Sequence, residues 1–305
     1  MKILPLPGTE VPTSEIVLGC MRMAKLKKDR VSRLVHTALD LGINFFDHAD
    51  IYGAGTSESI FAEAIGMKPS LREKMYIQTK CGIRKGFYDF SKTHILQSVD
   101  ASLKRLKTDY VDTLLLHRPD TLMEPDEVGE TFDILERSGK VRHFGVSNHH
   151  RGQIRLLQKH LKQKILINQL QFSITNTGMI DSGLNVNMQN PESVDRDGAI
   201  LEYCRIEDIR IQPWSPFLFG FFEGVYIDHP DFPELNIVLE RIAKEKGVCK
   251  SAVVIAWILR HPARMQPVVG TTNPARLKNI CRASDVSLTR PEWYEIYRAA
   301  GNQLP

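Results

Sequence analysis

No stretch of this chain approaches the roughly 18 consecutive apolar residues that cross a bilayer. The longest apolar runs are short, such as Ala252 to Leu259. The start, Met-Lys-Ile-Leu-Pro-Leu-Pro-Gly, has neither an apolar core nor a small-residue cleavage pattern, so it does not read as a secretory signal. The 5 cysteines are odd in number and none forms a Cys-x-x-Cys pair. That speaks against a disulfide framework or a thiolate metal site and for a reduced, cytoplasmic setting. Basic blocks are missing too. The 40 Lys and Arg against 36 Asp and Glu leave +4 over 305 residues, too dilute for a nucleic-acid partner. Low-complexity tracts and linkers are absent, so one domain over residues 1–305 is expected. With 42% hydrophobic and 25% charged residues, the chain has the balance of a folded globule rather than a disordered one.

What is present is alternation between short apolar runs and longer segments of helical period. Val31, Leu34, Val35, Ala38 and Leu39 fall on one helical face, and Leu235, Val238, Leu239, Ile242 and Ala243 repeat that spacing. Val128, Phe132 and Leu135 follow a sparser version. Gly42, Gly139 and Gly247 stand where these helices should stop. Eight runs read as strands, near Ile16–Gly19, Ile43–Asp47, Met75–Thr79, Val111–Leu116, Arg142–Val146, Ile165–Gln169, Ile209–Pro213 and Gln266–Val269. Most are apolar on both faces, as in a parallel sheet buried on both sides. Eight strand-then-helix units predict an α/β protein of the (β/α)8 TIM-barrel class. The rival doubly wound sheet would carry G-x-G-x-x-G in its first turn, whereas this chain has Gly19-Cys20-Met21-Arg22-Met23. The segment before Ile16, with Pro5, Pro7, Gly8 and Pro12, predicts a short N-terminal hairpin capping the barrel bottom. Two connections, Ser173–Gly198 and Phe217–Asp231, are long enough to be functional loops.

Barrel sites lie at the C-terminal ends of the strands. There the sequence places Asp47-His48-Ala49-Asp50-Ile51-Tyr52-Gly53, then Thr79-Lys80-Cys81-Gly82, then His117-Arg118-Pro119-Asp120, then Ser147-Asn148 and Gln169. Ionisable groups directly after apolar runs are costly unless paired or used. Singly, each has a plain reading: Lys80 as a solvated stem, Asp47 as a helix cap, His117 as a rim histidine, Tyr52 as packing. Together they converge on one mouth.

These stretches, with Gly139-Lys140-Val141-Arg142-His143-Phe144-Gly145-Val146-Ser147-Asn148, resemble the aldo-keto reductase family, in particular its bacterial YdhF-like branch. The resemblance runs from Gly19 to about Asn279. It implies hydride transfer from a reduced nicotinamide to a carbonyl, with Tyr52 as general acid, Lys80 as the group that tunes it, Asp47 as partner of Lys80, and His117 polarising the carbonyl oxygen. On this reading the ammonium lowers the phenol from its usual value of about 10.

The resemblance also assigns Ser147, Asn148 and Gln169 to the nicotinamide carboxamide, and Trp214 to its ring. Ser215 opens the segment that approaches the pyrophosphate. The run Gly270-Thr271-Thr272-Asn273-Pro274-Ala275-Arg276 falls to the adenosine phosphate: Thr272 or Asn273 could cap a helix whose first residue is Pro274, free N–H groups at such a start bind phosphate, and Arg276 suits a 2′-phosphate; Asn279 lies nearest the adenine. NADPH is therefore expected over NADH. The chain departs from the family pattern in having His48 after Asp47, Pro216-Phe217-Leu218-Phe219-Gly220-Phe221-Phe222 where a Gly-rich stretch is usual, and Gly270 where a basic residue is common. Phe217, Phe219, Phe221, Phe222 and Tyr226 suggest an apolar or aromatic carbonyl substrate. No metal is expected, since the first strand end lacks the His-x-His of barrel metal hydrolases. The alternative from another class is an NADPH-binding sensor or partner subunit with slow turnover. Oligomeric state and physiological substrate are not readable from the chain.

Overall fold

The computed structural model describes residues 1–305. Eight parallel strands close into a barrel: β1 (Val17–Gly19), β2 (Phe45–Asp47), β3 (Tyr76–Cys81), β4 (Val111–Leu116), β5 (Val141–Ser147), β6 (Ile165–Gln171), β7 (Arg210–Trp214) and β8 (Val268–Val269). Each pairs with its sequence neighbours, and β8 pairs with β1 to close the ring. All eight expected strands are present, and the expected (β/α)8 architecture holds.

The period of 2 along each strand sorts side chains between two cores. In β3, Tyr76, Gln78 and Lys80 project into the barrel, while Ile77 and Cys81 join the layer between strands and helices. Phe45 faces in and Phe46 faces out, packed on Phe61. The interior is tight at Gly145. A Cβ there would lie 2.5 Å from Leu115 Cδ2 and 2.7 Å from the Ile167 carbonyl oxygen, so only glycine lets β4, β5 and β6 meet at that level.

The helical stripes lie where the periodicity places them. Lys28–Asp40 buries Val31, Leu34, Val35 and Ala38; Pro125–Arg137 buries Val128, Phe132 and Leu135; Pro233–Lys246 buries Leu235, Leu239, Ile242 and Ala243. Gly42, Gly139 and Gly247 follow these three helices with positive φ. The N-terminal hairpin pairs Ile3–Pro5 with Pro12–Ser14. It closes the barrel at its N-terminal end: Leu6 packs inside against Val17, Phe45 and Tyr76, and the Arg210 guanidinium donates to the Pro5 carbonyl at 3.1 Å. The two long connections carry structure of their own. The first holds a helix over Gly178–Leu184, and the second a hairpin of Leu218–Phe219 with Gly224–Val225.

Candidate active site

β2 ends at Asp47, and the chain then turns back over the mouth, with His48 N–H donating to the Gln78 carbonyl and Asp50 N–H to the Lys80 carbonyl. Gly53 makes the turn possible. Its φ is +59°, and a Cβ there would sit 2.4 Å from that of Ala24. The turn brings Tyr52 back beside Lys80, on the next strand.

Lys80 and Asp47 are both buried. Every Lys80 N–H is used: Nζ lies 2.7 Å from each Asp47 carboxylate oxygen, 2.9 Å from the His48 carbonyl oxygen and 3.1 Å from the Tyr52 hydroxyl. A buried ion pair is tolerable only when its remaining donors and acceptors are met in this way. Burial alone would depress the Lys80 ammonium, but the Asp47 carboxylate and Tyr52 outweigh it and raise its pKa. Because Lys80 donates to the phenol oxygen, the Tyr52 proton is left to point elsewhere, and Tyr52 lines the cavity.

One expectation is corrected here. The Tyr52 phenol is not lowered: burial raises its pKa above the usual value, and Lys80 offsets this only in part because Asp47, which neutralises the lysine, acts in the opposite direction. The phenol therefore keeps its proton at neutral pH.

The His117 ring stands edge-on to Tyr52, with centroids 6.0 Å apart. Burial, then Lys80 and Arg118, push its pKa well below the ordinary imidazole value, and its Nδ1 is buried without a partner. It is a neutral imidazole beside the phenol. His48 faces away, edge-on to Phe61, and burial followed by Lys80 lowers it to about 3.

These groups open on a cavity of about 960 Å³. Its lining includes Asp47, Tyr52, His117, Ser147, Asn148, Gln169, Trp214, Ser215, Gly270, Thr271 and Arg276. Lys80 lies behind this wall. Thr272 and Asn279 do not line it; Asn279 is exposed, and Ile280 takes the cavity-facing place one residue on.

Several expected cofactor ligands are already engaged. Asn148 Nδ2 donates to the His117 carbonyl and to Ser147 Oγ, and Asn148 Oδ1 accepts the Trp214 indole N–H at 3.0 Å. Ser147 Oγ donates to the Gln169 carbonyl, and Gln169 Nε2 donates to Asp47 and Gln212. The helix after β8 starts at Pro274 as expected, and of the two expected caps it is Asn273 that serves. Pro274–Cys281 is capped by Asn273, whose Oδ1 accepts from the N–H groups of Ala275 and Arg276, so those two donors are not free for phosphate. The Arg276 side chain and Thr271 remain on the cavity wall.

Of the aromatic residues in the β7 connection, Phe217, Phe221 and Phe222 line the cavity. Phe222 stacks on Trp214 with centroids 5.8 Å apart. Tyr226 is buried and donates to the Pro216 carbonyl, and Phe219 packs on Phe232, so neither is a ligand wall. Lys250 lines the cavity without having been singled out in the sequence. It opens the helix Lys250–Leu259 and pairs with Asp228 from the β7 connection. Only the fold brings those two residues together.

The fold and the site together define a (β/α)8-barrel protein with an ionisable cluster at the C-terminal mouth of the strands. The sequence profile of the Aldo/keto reductase family matches residues 15–300. The 6-dehydroglucose reductase of Agrobacterium fabrum is 37% identical over 301 residues, covering 94% of this chain and 94% of that protein. The oxidoreductase YdhF of Escherichia coli is 35% identical over 306 residues, covering 96% and 95%. An aldo-keto reductase from Klebsiella pneumoniae, solved in complex with NADPH, shares the fold with a TM-score of 0.78 at 20% identity, covering 99% of this chain and 96% of that one. The chain belongs to the aldo/keto reductase family of oxidoreductases, which use nicotinamide cofactors.

Proposed function

We propose that this protein is an NADPH-dependent carbonyl reductase in which Tyr52 is the general acid. The observation that carries the reading is the buried contact of Lys80 Nζ with both Asp47 and the Tyr52 hydroxyl, at the edge of a cavity large enough for a cofactor and a substrate. The donor set suits a nicotinamide. Ser147, Asn148 and Gln169 line the cavity with Trp214 and Arg276, and a bound carboxamide would exchange with hydrogen bonds that the first three now make among themselves and to their neighbours. When bound, the reduced nicotinamide supplies the hydride.

The chain's residues supply position and the proton. Tyr52 O–H donates to the carbonyl oxygen as charge develops there, and the phenolate that results forms beside the Lys80 ammonium. Asp47 keeps that ammonium charged and fixed. Neutral His117 offers an N–H to the same oxygen and aligns it. The balance is a carbonyl plus one hydride and one proton, giving an alcohol.

Arg276 favours a 2′-phosphate through its planar fork. With the helix N–H groups taken by Asn273, preference for NADPH rests on this side chain and Thr271. Fluorescence titration tests it: Arg276→Ala should weaken NADPH binding by about 10- to 100-fold, the range of one or two charge-assisted bonds, and leave NADH binding unchanged. Equal weakening of both defeats the assignment. The Phe217, Phe221 and Phe222 wall favours apolar or aromatic carbonyls. An activity panel should set aromatic aldehydes and ketones against an oxidised hexose, the class suggested by the Agrobacterium relative. NADPH binding without turnover of any carbonyl would instead support a sensor or partner-subunit role.

A further inference from the structure

Between the mouth and the bottom of the barrel lie four buried glutamines: Gln78 on β3, Gln169 on β6, Gln212 on β7 and Gln266 just before β8. They form one connected set of hydrogen bonds. Gln78 Nε2 donates to Asp47 Oδ1 at 2.6 Å and to Gln212 Oε1 at 2.9 Å. Gln169 Nε2 donates to the same two oxygens, both at 3.1 Å. Gln212 Nε2 donates to Gln266 Oε1 at 2.9 Å, and Gln266 Nε2 donates to the Ser14 carbonyl at 2.7 Å and to Thr13 Oγ1 at 3.1 Å.

Both ends of this set only accept. An ionised Asp47 and a peptide carbonyl offer no proton, so each amide between them has one permitted orientation. The arrangement leaves Gln78 Oε1 buried without a partner. An orphaned acceptor in a barrel core is destabilising, and an apolar side chain there would avoid it. Its nitrogen is turned instead toward the carboxylate that holds Lys80. Gln78 and Gln212 do not line the cavity, so any effect on the reaction passes through Asp47 or through Gln169, which do.

We propose that Gln78 and Gln212 are positioning residues: they fix the ionised Asp47 carboxylate, and with it Lys80 beside Tyr52, and tie that carboxylate to the N-terminal hairpin through Gln266. Asp47 Oδ1 keeps its place because three donors surround it: Lys80, Gln78 and Gln169.

The kinetic consequence rests on the carbonyl-reductase reading; the effect on Lys80 does not. The test uses the full chain with Gln78→Met and Gln212→Met. In Gln78→Met the former partners keep other bonds, Asp47 Oδ1 to Lys80 and Gln169 and Gln212 Oε1 to Gln169; in Gln212→Met the two other glutamines on Asp47 keep theirs, and Gln266 Oε1 loses its donor. Carbon-13 NMR of lysine Cε in the cofactor-free protein should show Lys80 titrating at lower pH in Gln78→Met than in wild type, with a smaller shift in Gln212→Met. With NADPH and a carbonyl substrate, kcat should fall by about tenfold and its alkaline limb should move the same way, while KM changes by less than about threefold. Folded variants whose Lys80 titration and pH profile match wild type overturn the proposal. In the wild-type chain, the Gln78 Nε2–H signals should exchange slowly with water and shift with the Lys80 titration. Amides that exchange freely or ignore that titration overturn it without any variant. Should wild type reduce no carbonyl, the functional reading falls and the NMR titration still decides this one.

Discussion

Replacing Lys80 by Met removes one charge from a pair that water does not reach: the side chains of Lys80 and Asp47 are 0% and 3% exposed. Two consequences follow, and they separate. The first is stability. Asp47 is left as an uncompensated buried anion held only by Gln78 and Gln169, and breaking such a pair from one side costs about 3–5 kcal/mol. The second is chemistry. At the 3.1 Å separation of Nζ and the Tyr52 oxygen, with an effective dielectric of about 20, the ammonium stabilises a phenolate by about 5 kcal/mol. Loss of most of that term should lower kcat by about 10²- to 10⁴-fold. The double variant Asp47→Asn with Lys80→Met removes both charges. It should recover most of the stability and none of the turnover. Urea unfolding reads the first quantity and single-turnover kinetics the second. A Lys80→Met protein as stable as wild type, or a double variant that regains activity, would refute the reasoning.

Stability should fall steeply as pH drops below about 6.5. His48 is held at about 3, and His149 and His261 at about 4, each chiefly by burial, with His117 lowered in the same direction. These folded values lie below the unfolded value, so the stabilisation is present above pH 6.5 and is lost as the unfolded chain takes up protons. Asp50, raised to about 6 mainly by burial, opposes this by releasing one proton on unfolding. His94 and His143 are lowered in the same direction, so the protons taken up by the histidines outnumber the one that Asp50 releases, and the net effect is a loss of stability toward acid. Urea midpoints measured from pH 8 to 5 check this, and a flat profile contradicts it. Leu6→Ala, which empties a buried position at the barrel floor, should cost about 2–5 kcal/mol in the same assay. A negligible loss would mean that the hairpin does not plug the barrel.

Much of the frame was legible in the sequence because it depends on local period. Apolar runs such as Val111–Leu116 and stripes such as Val31 to Ala38 are set by strand and helix geometry, and the structure keeps them. Asp47, Lys80 and His117 were legible for a related reason: each follows an apolar run at a strand end, and in a barrel those ends share one rim. What could not be read depends on closure of the ring. Gln78 and Gln212 are 134 residues apart and meet only because the staggered strands face each other across the interior. Lys250 and Asp228 meet because a long connection folds back over the mouth. Asn279 shows how sharp helical phase is, since one residue along a helix turns a side chain by about 100°. Ile280 therefore faces the cavity and Asn279 the solvent. The Tyr52 pKa went the other way because the sequence shows a neighbouring lysine but neither the depth of burial nor the carboxylate that neutralises it.

The most direct test of the account is Tyr52→Phe, which deletes one oxygen and keeps the ring. NADPH should bind with unchanged affinity by fluorescence titration, while reduction of a reactive aromatic aldehyde falls by about 10²-fold or more. Undiminished reduction by the phenylalanine variant would contradict the assignment of the proton donor and, with it, the mechanism built on Lys80 and Asp47.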